Sequence, residues 1–221
     1  STSKAEHLEK RINVKEAEFS ASQAIKSPGA KAGYSDTQAV NNVRANDNPA
    51  LNKFLKNNTL MPYFSAAFFY PLGKVEQSGL PFGRFIDFKD YKLQHLGVDL
   101  RASKDTNVYA VNAGKVVAIL NLSNYGKTII IDHGLDIFSM YLHLDEFKVA
   151  EGETVAKGQR IGLSGSTGYA TGPHLHFSMR VNGARVDPIE FIEETKKMNA
   201  SLALADLKEA FLNFINTLTK H

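Results

Sequence analysis

The sequence predicts a mainly β fold, in which an antiparallel β-sheet domain is flanked by N- and C-terminal helices. Two observations lead to this prediction. Between Met61 and Asp187, glycines recur between short runs rich in β-branched residues, which is typical of strands; these runs are VYAV, GKVVAIL, GKTIIID, DIFSMYLHL, QRIGLSG and HLHFSMRV. The Asn182-Gly183 pair, which lies between two such runs, is the dipeptide that tight antiparallel hairpins favour.

The chain before this β region has helical patterns. Residues 2–26 are predicted to form a polar helix with a thin apolar stripe, and residues 27–36 contain the breaker sequences Ser-Pro-Gly and Gly-Tyr-Ser-Asp. A shorter helix is predicted to begin at Asn48, because asparagine is a good cap and Pro49 suits the first turn.

The chain becomes helical again after Pro188. Six apolar residues recur there at helical spacing: Leu204, Leu207, Phe211, Phe214, Ile215 and Leu218. This face either packs on the β domain or binds a partner. We therefore divide the chain into an N-terminal helical and polar segment (1–62), a β domain (63–192) and a C-terminal amphipathic helix (193–221).

Composition limits the available chemistry. The 221 residues include no cysteine, so disulfides and thiolate sites are excluded and any metal must be held by histidine and carboxylate. The net charge of +3 is mildly basic, and the basic residues are dispersed, which gives no reason to expect nucleic-acid binding. No run approaches the ~18 apolar residues of a transmembrane helix. An anchor or export signal upstream of Ser1 is left open.

Three segments alternate apolar residues with histidine or aspartate. They are HLGVDLR, IFSMYLHL and HLHFSMR, and their polar positions carry His95 with Asp99, His143, and His174 with His176. Because successive strand side chains point to opposite faces, each segment is expected to bury one apolar face and present imidazole or carboxylate on the other. If the segments are neighbours in one sheet, four imidazoles and one carboxylate converge on one groove.

This inventory matches a catalytic zinc site, in which three protein ligands leave one position open. Five candidates for three positions leave two side chains over. A histidine beside the metal can act as general base or can stabilise an oxyanion. The residues alone do not decide which three would bind the metal.

Three segments in this order, HLGVD, YLHL and TGPHLHF, resemble the signature of the lysostaphin/LytM-type zinc metallopeptidases, which cut peptidoglycan. The material between them resembles the same family, and the similarity runs from about Pro71 to Ile192. The resemblance implies an antiparallel fold of barrel-sandwich hybrid type with a substrate groove across one sheet. One departure is Pro81 in LPFGRF, where the family often has Ser or Thr before Phe-Gly.

Carried over residue by residue, the resemblance implies that His95, Asp99 and His176 bind Zn²⁺. It implies that His143 and His174 form the catalytic pair that orients water and stabilises the tetrahedral intermediate.

Two neighbouring residues invite other interpretations. His133 in IDHGLD looks like a further ligand, but we expect it to be structural. Tyr141 shares the predicted face of His143, where it either donates to the substrate or lines the wall.

The resemblance implies an envelope hydrolase of peptidoglycan that acts in wall remodelling or cell shape. The absence of a wall-targeting module favours a D,D-endopeptidase cut between D-Ala and diaminopimelate, whereas secreted lysostaphin-like relatives cut glycine bridges. The expected location is the periplasm or cell envelope, with membrane anchoring through a segment upstream of Ser1 as one form of it. Nothing in the sequence decides the bond directly.

Other interpretations stay open. Some relatives have lost ligands and act as non-catalytic scaffolds or regulators of other wall hydrolases, but all five motif residues are intact here. The helical flanks could bind a homologous protein partner. The Asn-rich segment 41–58 could cover the groove in a latent form, although asparagine also serves in caps and turns.

Overall fold

The described part of the chain is mainly β. The computed structural model describes residues 25–26, 35–56, 59–77, 79–88 and 91–201. The strands in these residues are β1 (Ile25–Lys26), β2 (Phe85–Asp87), β3 (Lys92–Gln94), β4 (Val98–Arg101), β5 (Asn107–Tyr109), β6 (Gly114–Leu122), β7 (Gly126–Asp132), β8 (Ile137–Phe147), β9 (Thr154–Val155), β10 (Arg160–Ser164), β11 (His174–Val181) and β12 (Ala184–Val186).

Nine of these strands form one sheet. Six of them lie side by side in the order β12-β11-β8-β7-β6-β9, while β4 pairs with β11, and β10 pairs with both β5 and β8. Every pairing in this sheet is antiparallel, which confirms the predicted fold class. The other three strands form a small sheet in the order β1-β2-β3, in which β1 runs parallel to β2.

The predicted hairpin at Asn182-Gly183 joins β11 to β12. Both turn residues have left-handed backbones, with φ of 46° at Asn182 and 78° at Gly183, as a type I′ turn requires. The pairing sets Arg180 of β11 opposite Arg185 of β12.

The large sheet has two apolar faces, and different parts of the chain cover them. On one face, Phe177 and Tyr141 belong to the main core, which Phe68 of the preceding loop completes. On the other face, Leu51 and Leu55 pack against a smaller group formed by Ala118, Ile130, Phe138, Met140 and Leu142. Burial on both faces explains why most of β8 is inaccessible to solvent rather than half-exposed.

The helical region before the sheet begins earlier than predicted. Helix α1 (Asp36–Asn42) continues through a π-helical segment (Val43–Asp47) into α2 (Asn48–Asn52), so Asn48 lies inside a helical run and does not cap it. The cap is Ser35, whose side chain and backbone exchange hydrogen bonds with Gln38 in a capping box. The Ser-x-x-Gln signal lay in the sequence but fell at the edge of the breaker stretch.

The predicted helix over 2–26 lies almost wholly outside the described residues. Its last two residues, Ile25 and Lys26, are described, and they form β1 instead of a helical turn. Their pairing with Ile86 and Asp87 shows the competing influence, because an available strand edge outweighs a weak helical pattern.

A helix closes the described chain. Helix α3 (Pro188–Ser201) starts at Pro188, and Asp187 caps it by accepting hydrogen bonds from the backbone N–H groups of Ile189 and Glu190. The six apolar residues of the predicted C-terminal face lie outside the described residues. None of the helices among those residues is long and apolar enough to span a bilayer.

Candidate metal centre and catalytic groove

His95, Asp99 and His176 converge on one point. Asp99 Oδ1 lies 3.1 Å from His95 Nε2 and 2.9 Å from His176 Nδ1, and these two nitrogens lie 2.9 Å apart. All three side chains offer ligand atoms within 4.8 Å of one another. No other group of this kind is found in the described ranges.

The pairing of two strands brings these residues together. Asp99 of β4 and His176 of β11 are direct cross-strand partners, so their side chains point to the same face. His95 comes from the turn after β3, where its Nδ1 lies 3.1 Å from the carbonyl of Pro81. An Nδ1 that faces a carbonyl carries the proton, so Nε2 keeps the lone pair that points at Asp99 and His176.

Gly97 allows the turn to approach β11 closely. A Cβ at this position would lie 2.5 Å from His176 Nε2 and 2.7 Å from the carbonyl oxygen of Phe177. Any side chain there would push against the imidazole, so glycine is required between His95 and Asp99.

His143 and His174 lie beside this group. Their ring centroids are 4.8 Å apart, and the His143 ring is 6.0 Å from that of His176. The Nδ1 atoms of His143 and His174 face the carbonyls of Thr167 and Gly172, at 2.8 Å and 2.9 Å. Each Nδ1 therefore donates, and each Nε2 is left as an acceptor.

A β-bulge puts His143 on this face. His143 has a φ of 60°, and the register between β7 and β8 shifts there, because Lys127 pairs with Leu144 while Ile129 pairs with Tyr141. Two residues of β7 thus oppose three of β8, so one residue of β8 is extra. Simple alternation predicts Tyr141 and His143 on one face, and the bulge makes that prediction wrong.

Tyr141 instead lies in the core. It is fully buried, its ring packs on Phe177, and its hydroxyl accepts hydrogen bonds from the Val111 N–H and the Ser139 hydroxyl. Tyr141 therefore neither donates to the substrate nor lines the groove wall, which were the two roles left open for it.

His133 lies away from the metal-type group. Its Nδ1 contacts the Ala113 carbonyl at 2.8 Å, its Nε2 contacts the Ser139 hydroxyl at 2.8 Å, and its ring packs edge-on against Phe68. Burial lowers the pKa of His133 to about 4, so the ring is neutral at neutral pH. Both nitrogens are occupied, as a structural role requires.

The electrostatics of the groove match a cation site. Burial alone would raise the pKa of Asp99, but its close contacts with the His176 and His95 imidazoles outweigh this effect and hold that pKa well below its usual range. Burial lowers the pKa of His176 to about 4, and burial together with the neighbouring His174 and His176 lowers that of His143 to about 3. His176 is thus neutral and Asp99 is ionised, which are the forms that bind metal.

These donors fit a zinc ion. Zinc takes imidazole nitrogen and carboxylate oxygen, and catalytic zinc sites use three such ligands. The protein itself holds the donors together, since the Pro81 carbonyl orients His95 and strand pairing orients the other two. His95 and His176 expose only 7% and 9% of their surface, which limits competition by water.

Sequence reasoning missed the loop that supports His143. Thr167 accepts from His143 through its carbonyl, and its hydroxyl bonds both the Lys127 N–H and the Leu144 carbonyl. The Thr167 hydroxyl therefore connects β7 and β8 at the bulge. The small-residue run GSTG between β10 and β11 was the available signal, because close backbone approach favours small residues.

The Asn-rich segment 41–58 does not contribute to the donor group within its described residues. Asn48 accepts a hydrogen bond from the Tyr125 hydroxyl, and Asn52 accepts one from Arg180. Asp47 accepts from the backbone N–H groups of residues 123–125, so this segment packs beside the groove.

Comparison with known proteins agrees with this geometry. Residues 93–188 match the model of Peptidase family M23. The peptidoglycan DD-endopeptidase ShyA of Vibrio cholerae is 38% identical over 121 residues, which cover 55% of this chain and 26% of that protein. Across the first curated relatives that it matches, the chain spans 20–26% of their length.

Two solved structures share the fold. A Pseudomonas aeruginosa protein assigned to peptidase M23 aligns with a TM-score of 0.57 and 30% identity, over 69% of this chain and 61% of the other. A zinc-containing peptidase from Vibrio cholerae aligns with a TM-score of 0.52 and 35% identity, over 55% of this chain and 39% of the other. Residues 93–188 therefore form a domain of peptidase family M23, the LytM-type metallopeptidases.

Proposed function

We propose that this chain is a zinc-dependent peptidoglycan hydrolase that cleaves peptide cross-links, and that it acts as a D,D-endopeptidase on D-Ala–diaminopimelate bonds. The observation that carries the proposal is the convergence of His95, Asp99 and His176, with two further imidazoles directly beside them. The similarity to a DD-endopeptidase supports the choice of bond.

His95, Asp99 and His176 would hold the zinc ion. When bound, zinc supplies a Lewis acid that polarises the scissile carbonyl and activates water at neutral pH. Asp99 Oδ1 lies within 3.1 Å of both ligand nitrogens, so the carboxylate balances part of the added charge. The three residues come from a turn and two paired strands, which keeps them in place without substrate.

His143 and His174 would move the proton. Because each Nδ1 donates to a carbonyl, each Nε2 can accept a proton from the attacking water and return it to the leaving amine. The lowered pKa of His143 keeps that ring neutral and able to accept. Once protonated, either imidazole can donate to the developing oxyanion.

The division into a segment over 1–62, a peptidase domain over 63–192 and a helix over 193–221 is part of this proposal. Two further elements are a periplasmic or cell-envelope location, with anchoring through a segment upstream of Ser1, and a role in cell shape. The proposal also includes a homologous protein partner that binds the helical flanks. The non-catalytic scaffold is the second candidate, and the complete donor set makes it the less favoured one.

The test uses diaminopimelate-type sacculi incubated with the zinc-loaded protein, with and without a chelator. Released muropeptides are identified by mass spectrometry. We expect chelator-sensitive conversion of cross-linked dimers to monomers. No conversion by a sample with stoichiometric zinc would reject the enzyme and leave the scaffold. His174→Ala with zinc retained is the matched inactive control.

A further inference from the structure

Arg185 reaches the same face of the sheet as the candidate site. It is the direct cross-strand partner of Arg180, so the two side chains share a face. Arg180 lies two residues from Ser178 and four from His176 along β11, and side chains at this spacing also share a face. Arg185 therefore lies on the groove side of the edge strand β12.

The contacts of Arg185 lead back towards the metal-type group. Its Nη1 donates to the Ser178 hydroxyl at 2.7 Å, and that hydroxyl donates to the carbonyl of Leu96 at 2.5 Å. Leu96 follows His95 directly, and Ser178 lies two residues beyond His176. At a strand rise of about 3.3 Å per residue, Ser178, which the guanidinium contacts, lies about 7 Å along β11 from His176.

Among the described residues, no carboxylate forms an ion pair with this guanidinium, whereas Lys104, Lys148 and Arg101 each have an acidic partner. Burial lowers the pKa of Arg185, with Tyr125 opposing this effect and Arg180 adding to it. A partly buried cation without a counter-charge is costly to the free protein, which suits a site that binds an anion.

We propose that Arg185 binds the carboxylate that diaminopimelate carries on the carbon next to the scissile nitrogen. This inference rests on the proposed function and assigns the determinant of its substrate choice. The planar guanidinium matches a carboxylate in two-point geometry, and the hydrogen bond to Ser178 uses one of its five N–H donors. This carboxylate belongs to the residue that contributes the scissile nitrogen, and a glycine bridge has none there.

The test compares two synthetic cross-linked dimers that differ only at this group, as free acid or as primary amide. KM, kcat and dissociation constants are measured for the zinc-loaded wild type and for Arg185→Gln. We expect the wild type to bind the acid about 10–100-fold more tightly than the amide, because a charge-assisted hydrogen bond is lost with the amide. Arg185→Gln should lose this preference, mainly through KM, with zinc content unchanged.

Arg180→Gln is the matched control, because that guanidinium is engaged by the Gly183 carbonyl and Asn52 and should leave the preference intact. Arg185→Lys should restore part of it. An equal loss on acid and amide in Arg185→Gln, or a wild type that does not distinguish them, would overturn the assignment. If neither dimer is cleaved, the proposed reaction fails, and calorimetric binding of the two dimers still decides the role of Arg185.

Discussion

Replacing Gly97 by alanine tests the geometry of the metal centre most directly. The added Cβ would lie 2.5 Å from His176 Nε2, 2.8 Å from its Cε1 and 2.7 Å from the Phe177 carbonyl oxygen. Favourable contacts between such atoms begin near ~3.5 Å, so roughly 1 Å of movement is needed. Phe177 belongs to β11, which β4 and β8 hold on both sides, so the turn that carries His95 must give way.

This movement separates His95 from Asp99 and His176. A misplacement of about 1 Å in a catalytic group costs about 10²-fold in rate. We expect Gly97→Ala to lose about 10²-fold in cleavage of cross-linked dimers and to bind zinc more weakly in a competition assay with a chromogenic chelator. The circular dichroism spectrum should be unchanged, since the turn is short.

Gly73→Ala is the matched control. A Cβ at Gly73 would have nothing within 4 Å, and its φ is not left-handed, so zinc affinity and activity should equal those of the wild type. Wild-type zinc affinity and activity in Gly97→Ala would refute the reasoning, because they would show that the turn and the imidazole can separate without consequence.

Three further predictions concern stability. Asp47→Ala leaves the N–H groups of residues 123–125 without their acceptor and should cost about 2–5 kcal/mol in urea unfolding, with Asp47→Asn costing less. Tyr141→Phe leaves the buried Val111 N–H unpaired and should cost about 1–3 kcal/mol, while activity per folded molecule stays unchanged. Burial holds the pKa of His133 at about 4 in the folded protein, against ~6.5 in the unfolded chain. The stability that this difference contributes is present above pH ~6.5 and is lost as the pH falls towards 4. We expect a loss of about 3 kcal/mol, measured by urea titrations at several pH values.

Each of these three has its own contrary outcome. Unfolding of Asp47→Ala at the wild-type urea concentration would mean that water replaces the carboxylate. A loss of activity without a loss of stability in Tyr141→Phe would show that the hydroxyl acts in the groove rather than in the core. A His133→Asn variant with the same pH slope as the wild type would show that other groups cause the acid sensitivity.

The sequence by itself determined most strands of the large sheet, the hairpin and the identity of the polar residues on these strands. These are local properties, since period-2 alternation and the Asn-Gly turn depend on neighbouring residues only. The glycine-rich β region, for example, forms a sheet in which every pairing is antiparallel, as predicted, and this sheet has nine strands. The HxH spacing also placed His174 and His176 on one face, because β11 is regular there.

Only the tertiary structure decided what depends on pairing between distant segments. His143 reaches the groove because β7 and the Thr167 loop hold a left-handed bulge in β8, and strict alternation placed it with Tyr141 instead. The strand at Ile25 likewise reflects a partner far along the chain, since it pairs with β2. The face that Arg185 occupies follows from its pairing with Arg180. Whether an acidic residue lies near its guanidinium likewise depends on the folded structure and cannot be read from neighbouring residues in the sequence.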